Sequence, residues 1–396
     1  MNLEELKLQL ILRQKSLDDF PVDRTTLHAS LAAPYDIFTQ TYMLKKIKLF
    51  LTFLCWLSVL LMWSSAATVY VSPAVYGGYF GVVGLLFPVF VAFVLLMLAV
   101  CAVTKQRAAW ICVFGLLACC GSLRDYCPIN LTSPPPQRCL KVMTYNTMTF
   151  GLNEKDGNDY VVPRYIVTSQ PDIVAMQETT VEKQETLDDI ERYFRRSGYH
   201  FEQYPSTFCR VAVASKFPIT HSEKVCSSAS NGVAAFTVRP SSRDSIIVIS
   251  AHLHSMGLTS DERNNFHEMV VKPEEVDNIR GKRGIVQKLA KAARERAAMV
   301  DTVAQYIDRH KGVPIILMGD FNDTPISYAH HTVCSRLTDA YRATANGIGR
   351  SFNQDAIYVR IDNIFCSDHW KPFACEVDNT VNFSDHYPVT AYLKWQ

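Results

Sequence analysis

Charge is missing from one part of this 396-residue sequence, and the Cys-x-x-Cys spacing is missing from all of it. From Leu49 to Thr104 there is no Asp, Glu, Lys or Arg. A water-facing stretch of that length normally has about one charged residue in four, so this one is neither a solvated linker nor a globular surface. The twelve cysteines include no Cys-x-x-Cys, which argues against a zinc ribbon. A disordered or collagen-like chain is excluded by 48% hydrophobic content with only 17 glycines and 18 prolines. A basic excess is also absent from the C-terminal part. From Arg138 onward there are 30 Lys and Arg against 31 Asp and Glu, which counts against a domain that grips nucleic acid through its phosphates.

The uncharged part is read as membrane. Leu49 to Val71 and Tyr76 to Thr104 are each long enough, at 1.5 Å per residue, to cross a hydrocarbon core of about 30 Å. Ala108 to Leu123 is slightly short of the roughly 17 residues usually needed. A re-entrant or interfacial segment is the alternative there, but a third span gives the chain its exit. The sequence therefore predicts about three transmembrane helices (49–71, 76–104, 108–123) within a region 43–123. Lys45, Lys46 and Lys48 precede the first span and Lys105 and Arg107 follow the second, whereas Ser72 to Val75 is uncharged. The basic segments belong in the cytoplasm, and three spans place everything after Leu123 outside it. The expectation is a multi-pass cell (inner) membrane protein whose C-terminal domain lies on the extracytoplasmic side, the periplasm in a bacterium and the lumen or exterior in a eukaryote; two spans would reverse it.

Residues 1–42 are mixed polar, and Met43-Leu-Lys-Lys looks like a membrane-protein start. That extension reads either as non-native or as a short cytoplasmic arm. Residues 124–139 hold three consecutive prolines, Pro134 to Pro136, and read as a semi-rigid polyproline stalk. Residues 140–396 form the soluble domain. Within it Cys209 with Cys226, and Cys366 with Cys375, are spaced like cross-links that an oxidising compartment permits.

Short β-branched runs in this domain predict buried strands: Leu140 to Tyr145, Ile173 to Met176, Val211 to Ala214, Ala234 to Val238, Ile246 to Ser250 and Pro314 to Met318. Gly284 to His310 carries apolar residues at helical intervals. Polar residues close the runs: Asn146, Gln177 with Glu178, His252 with His254, and Asp320 with Asn322. Asp362 lies in Val-Arg-Ile-Asp-Asn-Ile-Phe, and Asp385 and His386 in Ser-Asp-His-Tyr-Pro. Strand ends hold such side chains rigidly while leaving them open to a ligand.

The order Thr144-Tyr-Asn146, Asp172 to Glu178, Ser215-Lys-Phe-Pro-Ile219, Ala251-His-Leu253, Gly319-Asp-Phe-Asn-Asp323, Arg360-Ile-Asp362 and Ser384-Asp-His-Tyr-Pro388 resembles the endonuclease/exonuclease/phosphatase superfamily, and more narrowly its membrane-anchored bacterial branch. The resemblance implies a four-layer α/β/β/α sandwich, here preceded by the transmembrane bundle. It also implies a metal-dependent phosphoester hydrolase. Asn146, Glu178 and Asp385 would hold Mg²⁺ or Mn²⁺, as hard oxygen ligands suit those ions. His386 would act as general base toward water, with Asp362 fixing its tautomer. Asp320 would orient the nucleophile, Asn322 would donate to a phosphoryl oxygen, and His252 would touch the scissile phosphate.

Three features depart from the family pattern or stand outside it. Asn363 stands where the family often has Tyr, His254 is either a substrate contact or a surface residue, and Met256 to Lys282 is either a substrate-selecting arm or a solvated loop. The substrate is a phosphate ester of a lipid head group, a nucleotide or nucleic acid, with near-neutral charge tilting toward a small or lipid-linked ester. The alternatives are a nuclease and a catalytically silent binding module. A transporter is disfavoured because the first two spans carry no charged residue.

Overall fold

A computed structural model describes residues 24–151, 160–206, 209–228, 231–257, 279–354 and 359–396. The first element is one helix, α1 (Arg24–Ala67), which continues through Met43 without a break. Residues Tyr42–Tyr70 are long and apolar enough to cross a membrane. The other two apolar stretches are not straight spans. The first is the pair α2 (Tyr79–Leu85) and α3 (Phe87–Val103), bent by 46°; the second is α4 (Ala109–Ala118) and α5 (Cys120–Tyr126), bent by 67°. The described residues therefore hold one span by length and composition, or up to three if each bent pair is one. The first bend falls at Pro88, in the opening turn of α3, where the missing amide ends the helix before it. Cys55, Val59, Met62, Phe87, Val94, Met97, Cys101 and Cys112 pack together as the core of this bundle.

The proline-rich connection is not a free stalk. Asn130 Nδ2 donates to the carbonyls of Arg342 (3.1 Å) and Ala345 (2.6 Å), and Gly347 N donates to Pro128 O at 2.9 Å. The connection is pinned to the domain it leads into.

That domain begins with β1 (Leu140–Asn146), α6 (Val161–Ser169), β2 (Ile173–Gln177), α7 (Gln184–Arg196), β3 (His200–Gln203), β4 (Val211–Ser215), β5 (Ile219–Ser228), β6 (Asn231–Val238) and β7 (Ile246–His252). It continues with α8 (Ile279–Arg309), β8 (Ile315–Asp320), α9 (Tyr328–Cys334), β9 (Thr338–Asp339), α10 (Ala340–Thr344), β10 (Asp362–Cys366), β11 (Trp370–Val377) and β12 (Val389–Trp395). The strands form two six-stranded sheets, ordered β11-β12-β1-β2-β4-β3 and β5-β6-β7-β8-β10-β9. Val142, Ile173, Val211 and Val213 of the first sheet meet Phe236, Val248, Ile316 and Ile364 of the second. On the outer faces, Ile166, Ile190 and Phe194 of α6 and α7 cover the first sheet, while Met299, Val303, Ile307 and Val333 of α8 and α9 cover the second. The result is the α/β/β/α order of layers. Strands buried on both faces have no polar alternation, which is why β2, β4, β7 and β8 read as continuous apolar runs.

The expected cross-links are corrected: all twelve cysteines are free thiols. Cys366 is on β10 and Cys375 on β11, which belong to different sheets rather than to one hairpin. Cys209 packs on Gly232 between the sheets, whereas Cys226 turns toward Met299 O of α8, on the other face of its sheet.

Candidate active site

Register puts the polar residues in rows. In the second sheet His252 of β7 lies beside Asp320 of β8, and Asp320 beside Asp362 of β10. In the first sheet Asn146 of β1 lies beside Gln177 of β2. The sheets are tied at this edge by Gln177 Nε2 donating to Ser250 Oγ (3.2 Å) and by Ser250 Oγ donating to Met176 O (3.2 Å). The two rows therefore face one another across a narrow gap.

Backbone conformation sharpens the edge. Glu178 and Asn322, each just past a strand, have φ of 53° and 50°. Asn adopts that left-handed region readily, but Glu does so at a cost that packing must offset. Gly319, with φ 154°, has no substitute: a Cβ there would lie 1.9 Å from Ala251 O on β7. The glycine of Gly-Asp-Phe-Asn lets β8 close onto β7 and so brings Asp320 beside His252.

Asn146 is the hub. Its Nδ2 lies 3.2 Å from Glu178 Oε1, 3.1 Å from Asp320 Oδ2 and 3.5 Å from His386 Nε2. His386 Nδ1 is 2.8 Å from Asp362 Oδ2, and its Nε2 is 3.7 Å from Asp320 Oδ2. His252 Nε2 lies 3.7 Å from both Glu178 Oε1 and Asp320 Oδ2. Asp320, Asp362, His252 and His386 are buried, while the Glu178 carboxylate is 41% exposed and opens the cluster to solvent. Glu178, His252, Asp320, Asp362 and His386 thus converge with Asn146, from six separate stretches of chain.

Two expected residues sit differently. Asn322 Nδ2 already donates to Leu253 O (3.0 Å) and Asp320 Oδ2 (3.2 Å), so it braces Asp320, and a phosphoryl oxygen would be an additional acceptor. Asp385 stands at the rim with its carboxylate 3.3 Å from Ser384 Oγ, and no hydrogen bond among the described residues ties it to Asn146 or Glu178. Ser384 Oγ also donates to Asn146 O at 2.7 Å, which anchors the Ser-Asp-His segment onto β1. His254 faces Ser228 (3.3 Å), and its carbonyl accepts from Arg296. Asn363 turns away from His386 toward Arg360 and Ile361 O. Of the segment Met256 to Lys282, residues 258–278 lie outside the described residues.

Electrostatics follow burial. Desolvation pushes Asp320 up to about 6 and lowers His252 below its ordinary value. Burial opposes charge on His386 too, but Asp362 and Asp320 outweigh it and raise that imidazole to about 10. Among the described residues, Asp362 Oδ1 and His252 Nδ1 are buried without a partner.

Sequence reading missed Asn231, whose Nδ2 is 2.9 Å from His252 Nε2, and the buried pair of Arg296 Nε with Asp323 Oδ2 (2.9 Å). Neither is adjacent to its partner in sequence. A second group, His330, Cys334 and Asp339, has the residue types of a metal site. Its carboxylate is already spent: Oδ1 caps α10 through Tyr341 N and Arg342 N, and Oδ2 accepts from His330 (3.0 Å) and Arg360 (3.1 Å). With a guanidinium on the carboxylate, this group is structural.

Fold and cluster together define a class, a two-sheet α/β sandwich with carboxylates and imidazoles converging at one edge. Residues 143–386, more than half of the chain, match the Endonuclease/Exonuclease/phosphatase family, and the chain belongs to it. Members of this family are generally phosphoester hydrolases and typically use divalent metals. Residues 47–126 match a domain of unknown function (DUF8431). A search of curated proteins finds no match. Among solved structures, the human Nocturnin catalytic domain with bound sulfate is 18% identical with a TM-score of 0.46, covering 68% of this chain and 96% of that one. A humanized D. rerio TDP2 is 16% identical with a TM-score of 0.45, covering 65% and 99%. A family protein from Bacteroides thetaiotaomicron is 16% identical with a TM-score of 0.44, covering 67% and 100%.

Proposed function

We propose that the chain is a membrane-anchored phosphoester hydrolase that requires Mg²⁺ or Mn²⁺ and cleaves by direct attack of water on phosphorus, its catalytic domain lying outside the cytoplasm. The observation that carries the reading is the joint presence of the His386–Asp362 dyad and the Asp320 carboxylate around one amide, Asn146, at the open edge of the sandwich. A silent binding module would have no need to keep all of them in register.

The donor set suits a hard divalent cation. Glu178 and Asp385 offer carboxylate oxygens, with no sulfur, and the half-exposed Glu178 leaves an approach from solvent; Asn146, whose Oδ1 here accepts from Met148 N at 3.3 Å, would offer its amide oxygen with the amide group turned over. Three carboxylates, Glu178, Asp320 and Asp362, gather here, and Asp362 Oδ1 has no partner among the described residues, so a cation would balance negative charge at this edge. When bound, such an ion neutralises the phosphate and the leaving oxygen.

The protein groups divide the remaining work. Asp362 holds the His386 ring in one orientation through Nδ1. His386 Nε2 and Asp320 Oδ2, 3.7 Å apart, flank the space in which water is held, and act as a coupled pair in taking its proton. Asn322 and Asn146 fix Asp320 from two sides, and His252 borders the phosphate position beside Glu178.

The anchor follows from α1 and the two bent helix pairs, each read as one span, so that Lys45, Lys46, Lys48, Lys105 and Arg107 lie on one side of the bilayer and the domain on the other. The test uses full-length protein in detergent with bis-p-nitrophenyl phosphate. Turnover with Mg²⁺ or Mn²⁺, lost on chelation and reduced at least a hundredfold by His386→Ala, is the expected result. Equal rates for the variant and the parent would remove the reading.

A further inference from the structure

The active-site end of the sandwich is also the end that docks on the membrane helices. β7 ends at His252 in the site, and β8, parallel to it, starts at the opposite edge. The helix that joins them, α8, must run back, so its N-terminal half lies at the site end. That half carries both contacts. A Cβ on Gly78 would lie 1.8 Å from Ala290 O, and one on Gly81 would lie 2.8 Å from the Ala293 methyl. Six residues beyond Ala290, or about 9 Å along the helix, Arg296 bonds Asp323 and the carbonyl of His254.

A second element makes the same connection independently. Four residues after Asn322 the chain reaches Ile326, which is buried in the apolar cluster of the bundle with Val59, Met62, Phe87 and Val94. Its carbonyl lies 2.9 Å from the position of a Cβ on Gly84, one turn deeper in α2 than Gly81. α2 follows the end of α1 opposite Lys45, Lys46 and Lys48, so in the topology proposed above it would stand at the outer boundary of the bilayer. Around it Tyr76 and Tyr79 are 59% and 51% exposed, as residues of an interfacial belt are. Lys291 and Arg294 are exposed on the same half of α8, where that topology would bring them near headgroup phosphates.

We propose that the site draws its substrate from the bilayer that holds α1 to α5, and that this substrate is a lipid phosphate ester of the outer leaflet. The inference rests on the phosphoester-hydrolase reading and adds the substrate class. Water oxygen joins phosphorus, the P–O bond to the lipid alcohol breaks, and the proton goes to that alcohol. The lipid alcohol stays in the bilayer and a water-soluble phosphate leaves.

The test uses full-length protein reconstituted, with Mg²⁺ in the buffer, into phosphatidylcholine vesicles that carry phosphatidylglycerol, phosphatidylethanolamine, phosphatidic acid or sphingomyelin. Two water-soluble probes are measured on the same vesicles: bis-p-nitrophenyl phosphate and a single-stranded oligonucleotide. The expected result is cleavage of at least one lipid at kcat/KM at least tenfold above either soluble probe, with the same lipid in separate vesicles left intact. Cleavage of bis-p-nitrophenyl phosphate without cleavage of any lipid would overturn the substrate class and leave the hydrolase reading standing. An oligonucleotide cleaved faster than every lipid would overturn it in favour of a nuclease. No turnover of any probe would remove the hydrolase reading and this inference with it.

Discussion

His252 Nδ1 is buried without a partner among the described residues, and its Nε2 is hydrogen-bonded by Asn231 at 2.9 Å, with the Glu178 and Asp320 carboxylates farther off at 3.7 Å, so the Asn231 amide is the closest group that orients the ring. Asn231→Leu should lower kcat for a soluble phosphodiester about tenfold to a hundredfold, because a small misplacement of a group beside the reacting phosphate is enough to cost that much. KM should change little; steady-state kinetics would show the split, and an unchanged kcat would refute the positioning role. Asn231 also marks where sequence reading stops at this scale. Glu178, Asp320 and Asn322 were legible because each closes an apolar run within a recognisable motif. Asn231 opens β6 with no motif around it, 21 residues before the ring it holds. Asn322 shows the opposite limit: its presence was foreseen, but its amide is engaged by Leu253 O and Asp320, and only the fold reveals which acceptors are near.

At the scale of elements, the clearest dependence is where α10 and β10 meet. Burial raises the Asp339 carboxyl, but Arg360 and His330 outweigh that and hold it below the ordinary carboxylate range. A depressed folded value means that the stabilisation is complete above the unfolded value, near 4, and is lost as pH falls through the folded one. Asp339→Asn should therefore cost about 3–5 kcal/mol near pH 7, and the gap from the parent should narrow well below pH 4. Denaturant unfolding of both proteins from pH 7 down to pH 2 measures it. The α2–α8 seam gives a second case. Gly78 has φ 90° and no room for a Cβ, so Gly78→Ala should destabilise the contact by roughly 1–3 kcal/mol and expose α8 to limited proteolysis. Strands β1, β2, β4, β6, β7 and β8 were readable from their apolar runs. β5, the edge strand Ile219–Ser228, was not, because its exposed face is charged and it resembles a loop in composition. β11 carries a proline and a register shift, which hide its period.

For the whole molecule, the division into an apolar third and a polar remainder was visible in the distribution of charge alone. What the sequence could not show is that the two parts touch closely. The proline-rich connection was read as a spacer, yet Asn130 and Pro128 lie against the 342–347 segment, and Asp125 pairs with Arg342. Hydrophobic periodicity reports which faces are apolar but not which apolar face meets which, so docking between helices of small residues leaves no signature in one sequence. Topology gives the prediction at this scale. An alkaline phosphatase fused after Gln396 should be active and a green fluorescent protein at the same place dark, and the reverse pattern would put the domain in the cytoplasm.

The first strand of the sandwich, β1, lies between β2 and β12, the last strand described, and pairs with β12 from Leu140 to Thr144. Asn146 ends β1, and the segment that brings His386 to it leads directly into β12. During synthesis β1 therefore waits, with its β12 side unpaired, until residues 389–393 have arrived. The candidate site therefore closes late: Asn146, made early, meets His386 only when the strand that follows His386 folds back beside β1.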